Sequence, residues 1–573
     1  MIPVAGPTPT DDSALTEASS GRSSSMLVAA GILASRIAGL VRASVFNAFL
    51  GVGASADALG FATRVPNVLQ NLLGEGSLSA SFIPVYSAEL DRDEEEAGRI
   101  AGAVAALLAL TAAVIVVVSW IFAPQIAALL MIFTGGSEDP RFELTVTLLR
   151  IIFPSTGLLV LSAWCLGILN SHRQFFLSYV APVLWNIAQI VAVVGAVVFF
   201  SVGDTTDAAA SALASPSGNI DLLGDVAEVA AWGFLIGSAI QFLVQLPYVL
   251  RVVRGLRVRL DTSREGVREI LRRFVGAVSG RGVVQISAFA DTILAGALTA
   301  GAVGALVNAQ ILHVLPISLF ALSVAAAELP EMSRMKDPSE VRERTDRGFG
   351  QIAFFVGFTA IAYVLLGDKI VGALFERGEF NSDDTLLVWF VLGTYALGLI
   401  PSALSRLTQN AIWSQGDTNG PARIAFVRVV LAIVLSVLAM PFFDRIGVAD
   451  VRGVFPTLFD VETIDDQLRF GAMGITLASA IAAWVEAGLL QRLAARTISG
   501  INPLKAVGPL APALVASSVV AVVMRVVTDD MWPPLALVLA VGLSGLTYVG
   551  VCWVKRVPAV NALLIGPLAR FRR

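Results

Sequence analysis

Residues 26–50 read MLVAAGILASRIAGLVRASVFNAFL, a run apolar enough to cross a bilayer yet interrupted by Arg36 and Arg42. A guanidinium does not lose its proton in a protein, and each one near the centre of a lipid-facing helix costs ~2.5–3.5 kcal/mol on insertion scales. These side chains must therefore face water or an anion instead of acyl chains. The next apolar run repeats the demand with Arg64.

The rest of the chain is apolar in the same way. Of 573 residues, 56% are hydrophobic and 15% charged, and the mean hydropathy is +0.77; a soluble domain carries about a quarter charged residues. Runs of about 20 apolar residues, without strand alternation, predict helices and not a barrel. The expected fold is an all-α polytopic membrane protein with about 14 spans between Met26 and Val554. Cys165 and Cys552 fall within spans, as apolar residues would, and imply neither disulfide nor metal site. With no phosphate-cradling loop, His/Cys cluster or nucleophile elbow, the sequence assigns no catalytic residue, metal, cofactor or nucleic-acid partner. The acidic group Asp91–Glu96 reads as a solvated loop.

The net charge of −4 hides a sorting of charge by membrane side. Arginines crowd after the sixth span (Arg251, Arg254, Arg257, Arg259, Arg264, Arg268, Arg272, Arg273) and after the eighth (Arg334, Arg342, Arg344, Arg347), and close the tail. Acidic residues dominate the inserts after the fifth span (Asp204, Asp207, Asp221, Asp225) and the eleventh (Asp444, Asp450, Asp460, Glu462). The positive-inside rule then places both termini in the cytoplasm of a plasma-membrane protein. Residues 1–25, rich in Ser, Thr, Ala and Pro, read as a disordered cytosolic lead.

Landmarks recur at one spacing. Arg36 and Arg281 begin comparable spans, Pro84 and Pro330 close two others, and Pro154 and Pro401 open two more, at offsets of 245, 246 and 247. Trp232–Ile240 also matches Met473–Ile481. A repeat of six spans gives two lobes of one orientation, an arrangement of transporters that rock about a central site. The expected division is an N-lobe over 26–254, a basic linker over 255–267 and a C-lobe over 268–498. Two unrepeated helices follow within 505–556, then a basic tail over 557–573.

The candidate site lies in the first two spans. Ser35 precedes Arg36, and Arg42 stands about 240° around an ideal helix from Arg36, so a bend at Gly39 is expected to turn both guanidiniums inward. Planar guanidinium binds phosphate and pyrophosphate oxygens bidentately; the bland alternatives are snorkelling or pairing with a carboxylate such as Asp57. In the second span, Pro66, Gly74 and Gly76 mark hinges around Arg64, Asn67 and Glu75. Glu75 reads equally as a substrate or proton ligand and as a partner of Arg64. Asp291, a lone carboxylate in the seventh span, is a candidate for coupling an ion or for a structural pairing. His313 reads as a packing residue.

These residues, in order, resemble the MurJ (MviN) family, lipid II flippases of the multidrug/oligosaccharidyl-lipid/polysaccharide exporter superfamily. The resemblance rests on Ser35–Arg42, Ala56-Asp57, Arg64–Asn67, Glu75-Gly76, Phe82–Val85, Gly167–Asn170, Leu374–Phe380 and Gln415–Pro421. It implies 14 helices, a cationic cavity between two lobes, and a groove for a polyprenyl tail formed by the last two helices. The implied substrate-binding residues are Arg36, Arg42, Arg64, Asp57, Asn67, Glu75 and Ser35. Two family arginines are missing: Gln70 and Ile311 occupy their positions. Some members use sodium, through an Asp on the seventh helix and an Asn or Asp on the eleventh; Asp291 matches the first, while residues 428–438 offer no carboxylate or amide.

The expected activity is transfer of undecaprenyl-pyrophosphate-linked lipid II from the inner to the outer leaflet by alternating access, without catalysis. Coupling to the membrane potential, to H+ or to Na+ is open, and lipid II, membrane lipids and cell-wall synthesis proteins are the expected partners. Two rivals remain: a flippase for another polyprenyl-linked oligosaccharide, and a transport-inactive scaffold for cell-wall synthesis. The scaffold gains if neighbouring carboxylates neutralise the three arginines.

Overall fold

The computed structural model describes residues 31, 33–203, 220–335, 337–417, 419–454, 467–529 and 531–560. The N-terminal lead, most of the two acidic inserts and most of the basic tail lie outside them.

The described chain is helical, without a β-sheet. The first lobe contains α1 (Leu33–Leu50), α2 (Ala54–Leu73), α3 (Glu75–Leu90), α4 (Glu94–Ile121), the short α5 (Ala123–Leu130), α6 (Phe142–Ser171), α7 (Phe175–Gly203) and α8 (Ile220–Val252). The second begins with α9 (Glu265–Gly296) and α10 (Ala302–Pro316), which passes through a π-helical turn at Ile317–Ala321 into α11 (Leu322–Arg334). It continues with α12 (Pro338–Phe375), α13 (Ser382–Leu397), α14 (Leu399–Ser414), α15 (Asn419–Phe443), the short α16 (Val448–Val454) and α17 (Gly471–Thr497). Two last helices, α18 (Ala511–Val527) and α19 (Pro533–Val554), follow.

Among the described residues, 11 helices are long and apolar enough to span a membrane, or 12 with α13 and α14 taken as one span bent by 42°. The expected 14 is not reached by this measure. Neither α2–α3 nor α9 is among the 11; α2 carries Arg64 and Asn67, which line the interior, and α9 carries the buried Asp291.

The two lobes pair their helices alike. In the first, α7 packs on α8 and α6 on both α8 and α4; in the second, α15 packs on α17, and α13 on both α17 and α12. The aligned glycines of the repeat do the same job. A Cβ on Gly233 of α8 would come within 2.8 Å of Ala192 on α7, and one on Gly474 of α17 within 2.7 Å of the Met440 backbone on α15.

The linker between the lobes lies flat on α4. Its backbone presses so closely on Gly98 and Gly102 that a Cβ at either would stand 1.9 Å from the Arg254 carbonyl or 2.1 Å from that of Arg257. Arg254 donates to Glu94 at 3.1 Å and Arg264 to Glu96. The acidic group Asp91–Glu96 thus receives the basic linker, with Asp93 also capping α4 through the amides of Glu95 and Glu96. Helix α9 starts at Glu265, inside the expected linker.

The last two helices pack on α12. Tyr548 donates to the Phe354 carbonyl at 2.8 Å, and Arg525 donates to Asp368 at 3.1 Å while standing 4.2 Å above the Trp389 ring.

Gly474→Val forces branched carbon into the α15 backbone, for which ~1–3 kcal/mol of destabilisation is expected from overpacking. Thermal unfolding of the detergent-solubilised protein checks this, and Gly488→Val, where a Cβ meets nothing within 4 Å, is the control.

Candidate substrate cavity

A cavity of about 490 Å³ lies between the lobes, lined from the first by α1, α2, α7 and α8 and from the second by α10. Its charged lining residues are Arg36, Arg42 and Arg64, and among the described residues no carboxylate lines it. Six amide side chains, from Asn47, Asn67, Asn186, Gln189, Asn308 and Gln310, and the hydroxyls of Ser35 and Thr63 complete its polar wall.

Helix α1 is continuously helical over residues 33–50, through Gly39. At about 100° per residue, the lining residues from Arg42 through Arg36 to Leu40 sweep an arc of about 160°. The cavity is wide enough to receive that whole arc, so both guanidiniums enter from one helix. Arg42 reaches Gln189 at 3.5 Å and covers the Trp185 ring at 4.9 Å, a cation–π contact that holds the charge without neutralising it. Among the described residues, neither Arg36 nor Arg42 forms an ion pair. Arg64 donates to Gln310 at 3.5 Å across the lobe boundary.

The second span breaks at Gly74, one of the positions marked as hinges in the sequence. Pro66 is buried within α2, which continues to Leu73, and the break falls at Gly74, whose amide still bonds the Gln70 carbonyl at 2.7 Å. Gly76 sits in the first turn of α3. Glu75 starts α3, and its side chain lies outside the described residues.

Asp57 is not in the cavity. Its side chain is fully buried, paired with Arg141 at 2.9 Å and accepting the amides of Gly301 and Gly304 at 2.9 and 2.8 Å. It caps the N-terminus of α10, where free amides and the helix dipole favour an anion. Its partner is thus Arg141, and the expected alternative of pairing with Arg36 or Arg42 does not occur. Arg141 also binds Asp139 at 2.7 Å and the Gly296 carbonyl at 3.4 Å.

This clasp belongs to a seam that joins the lobes at one end. Asn47 and Asn308 exchange hydrogen bonds of 2.8 and 3.0 Å, and the Glu379 amide donates to the Ala48 carbonyl at 3.0 Å. Gly301 and Gly378 hold positive φ angles of 93° and 59°, and a Cβ would stand 2.7 Å from the Val52 carbonyl oxygen in one case and 2.2 Å from that of Ala48 in the other. Glycine satisfies both the left-handed backbone and the close approach. Among the described residues, the direct hydrogen bonds between lobes lie at this end, with Arg64–Gln310 at mid-depth. The basic linker lies at the other.

Three features escaped the reading of the sequence. Trp185, Asn186 and Gln189 form a polar notch at helical spacing within an apolar span, a signal that was legible. Arg141 sits in a loop, where nothing marks it as a partner of Asp57. Arg406, Arg428 and Glu486 are charged residues of α14, α15 and α17 that face the interior; Glu486 is 3% exposed and binds Arg428 at 2.9 Å. Asp291 is likewise buried and does not line the cavity. His313 stacks on Tyr395 with centroids 4.4 Å apart, the expected packing role.

A family model described as lipid II flippase MurJ matches residues 46–452. The chain belongs to the MurJ family. A probable lipid II flippase MurJ of Haemophilus influenzae is 28% identical over 447 residues, covering 74% of this chain and 82% of that protein. A lipid II flippase MurJ of Burkholderia cenocepacia is 26% identical over 435 residues, covering 74% and 79%. Among solved structures, a lipid II flippase MurJ in an inward closed conformation aligns with TM-score 0.68 at 21% identity, over 95% of this chain and all of that one. An inward-facing MATE-family transporter of the MOP superfamily aligns with TM-score 0.59 at 17% identity, over 82% of this chain and 98% of that one. Both share the fold. Membership of the MurJ family makes the chain a multi-pass inner-membrane transporter of lipid II, and not an enzyme. At the positions of the two missing family arginines, Ile311 lines the cavity without charge and Gln70 lies outside it.

Arg141→Ala leaves the buried Asp57 carboxylate without its guanidinium, for which ~3–5 kcal/mol of destabilisation is expected. In a Cys165→Ala, Cys552→Ala background, a thiol placed by Asn308→Cys is expected to react faster with a water-soluble maleimide when Arg141→Ala is added. Unchanged labelling contradicts the seam.

Proposed function

We propose that Arg36, Arg42 and Arg64 hold the pyrophosphate of lipid II within the cavity, and that the lobes rock about it to carry the headgroup from the inner to the outer leaflet. The observation that carries this reading is that three arginines and, among the described residues, no carboxylate line one chamber between the lobes. Arg36 and Arg42, which form no ion pair among the described residues, leave that chamber in deficit of negative charge, and a pyrophosphate supplies it. The amides and Ser35 then serve the sugar and peptide hydroxyls and carbonyls, with Asn67 on the same face of α2 as Arg64. Neutralisation by carboxylates, which favoured a scaffold, is absent for Arg36 and Arg42 among the described residues.

The basic linker marks the cytoplasmic end, with both termini on that side, and the seam then closes the outer end. In this orientation the cavity accepts its anion from the cytoplasm. Outward passage of a negative headgroup runs down an inside-negative potential, which contributes ~2.3 kcal/mol per charge per 100 mV. Helices α18 and α19, outside the repeat and packed on α12, guide the polyprenyl tail along their apolar faces. Cell-wall synthesis proteins are the partners this activity requires before and after it.

Removing one charge-assisted hydrogen bond costs ~1.5–3 kcal/mol. Arg42→Ala is therefore expected to weaken lipid II binding by about 10- to 150-fold, with Arg42→Lys intermediate because the ammonium keeps charge but loses the fork. Lipid II flux into the outer leaflet of cells lacking their own flippase is expected to fall to background for Arg36→Glu, Arg42→Glu and Arg64→Glu. Wild-type flux in folded Arg36→Glu protein contradicts the reading.

A further inference from the structure

Four charged residues of the second lobe, Asp291, Arg406, Arg428 and Glu486, stand outside the lining of the cavity. Glu486 of α17, 3% exposed, accepts hydrogen bonds from Arg428 at 2.9 Å and Gln409 at 3.2 Å, so both its oxygens are engaged. Asp291 of α9, 5% exposed, leaves Oδ1 without a hydrogen-bond partner. The charges within electrostatic reach of Asp291 are Arg64 and Arg428, while Arg406 of α14 stands near both Arg428 and Glu486. Within the second lobe two guanidiniums stand against two carboxylates, and Arg64, a cavity residue of α2, adds one further positive charge from the first lobe.

A buried carboxylate with an open oxygen is where a metal cation would be sought, and the family resemblance raises sodium through an Asp on this helix. The residues here do not fit one. Sodium is held by several oxygen donors around a net negative charge, whereas Asp291 faces two permanent cations. The eleventh span, α15, brings Arg428 toward it in place of an amide or carboxylate. Among the described residues, no three His, Cys, Asp or Glu side chains gather as a metal site. Adding a metal ion would raise a net charge that already stands at +1, in a region where charge is poorly screened.

We infer that Arg428, tethered to Glu486 at 2.9 Å, is the resident cation of the second lobe, so that the chain binds no sodium there and its transport is not sodium-coupled. A covalently held guanidinium cannot leave during the cycle, so the lobe keeps one charge state whether the cavity is loaded or empty. The coupling that remains is to the potential acting on the substrate's own charge, or to protons. Of the cavity arginines only Arg64 enters this inference, as a neighbouring charge, and the roles given to Arg36, Arg42 and the pyrophosphate are not used.

The test uses the purified full chain without lipid II, so that its failure is distinguishable from failure of the flippase reading. Thermal unfolding is measured in NaCl, KCl and choline chloride at equal ionic strength, together with binding of radioactive sodium. The same melting temperature in all three salts and no saturable sodium binding are expected. A sodium-specific rise in melting temperature that Asp291→Asn abolishes overturns the inference. Arg428→Gln is expected to lower the melting temperature, and Arg428→Lys to recover most of the loss. A Gln variant as stable as the natural protein also overturns it, since the guanidinium would then not be the counter-ion of Glu486. Should the Gln variant fail to fold, the salt comparison on the unaltered chain still decides.

Discussion

A guanidinium within a membrane can neither shed its proton nor face acyl chains cheaply, and that constraint organises this molecule. Three such groups in the first two spans force a wet chamber between the lobes, and the chamber's surroundings follow from it. Helix α1 offers the chamber a wide arc rather than a narrow stripe, α7 supplies Trp185 and Gln189 to hold Arg42, and α10 supplies Gln310 to hold Arg64. The contacts of Arg42 orient its charge without pairing it to a carboxylate. The polar wall is thereby prepared for an anion that the protein itself does not contain.

The seam gives the chamber a closed end. Asp57 acts twice there, as the ion-pair partner of Arg141 in its own lobe and as the cap of α10 in the other. One buried carboxylate thus ties the lobes through backbone amides that are exposed only because a helix begins at that place. Glycines with left-handed backbone allow the chain ends to meet closely enough for those bonds to form. Rocking of the lobes requires these bonds to break together, which suits a two-state closure.

Much of this was legible in the sequence, for physical reasons. Arg36, Arg42 and Arg64 stand out because lipid tolerates them poorly, and all three line the cavity. Gly233 and Gly474 align within the repeat and press on equivalent neighbours. What was not legible depends on partners distant in sequence. Asp57 looked like a site residue because nothing local reveals Arg141, 84 positions away. How wide an arc of α1 a cavity can accept is a property of the packed lobes and not of one helix. Of the hinge candidates in the second span, Gly74 is where the helix breaks, while α2 runs through Pro66. The charged residues of α14, α15 and α17 become a cluster only when the helices pack.

The central claim is that pyrophosphate charge, met by the three cavity arginines, selects the substrate. Its most direct test is binding of three lipids that share one polyprenyl chain and differ in the head: the pyrophosphate-linked glycopeptide, the polyprenyl monophosphate and the neutral polyprenol. Measured on the purified protein at low and high salt, affinity should fall in that order, and the gaps should narrow as salt rises. Equal affinity for the neutral alcohol and the pyrophosphate lipid, insensitive to salt, would contradict the account.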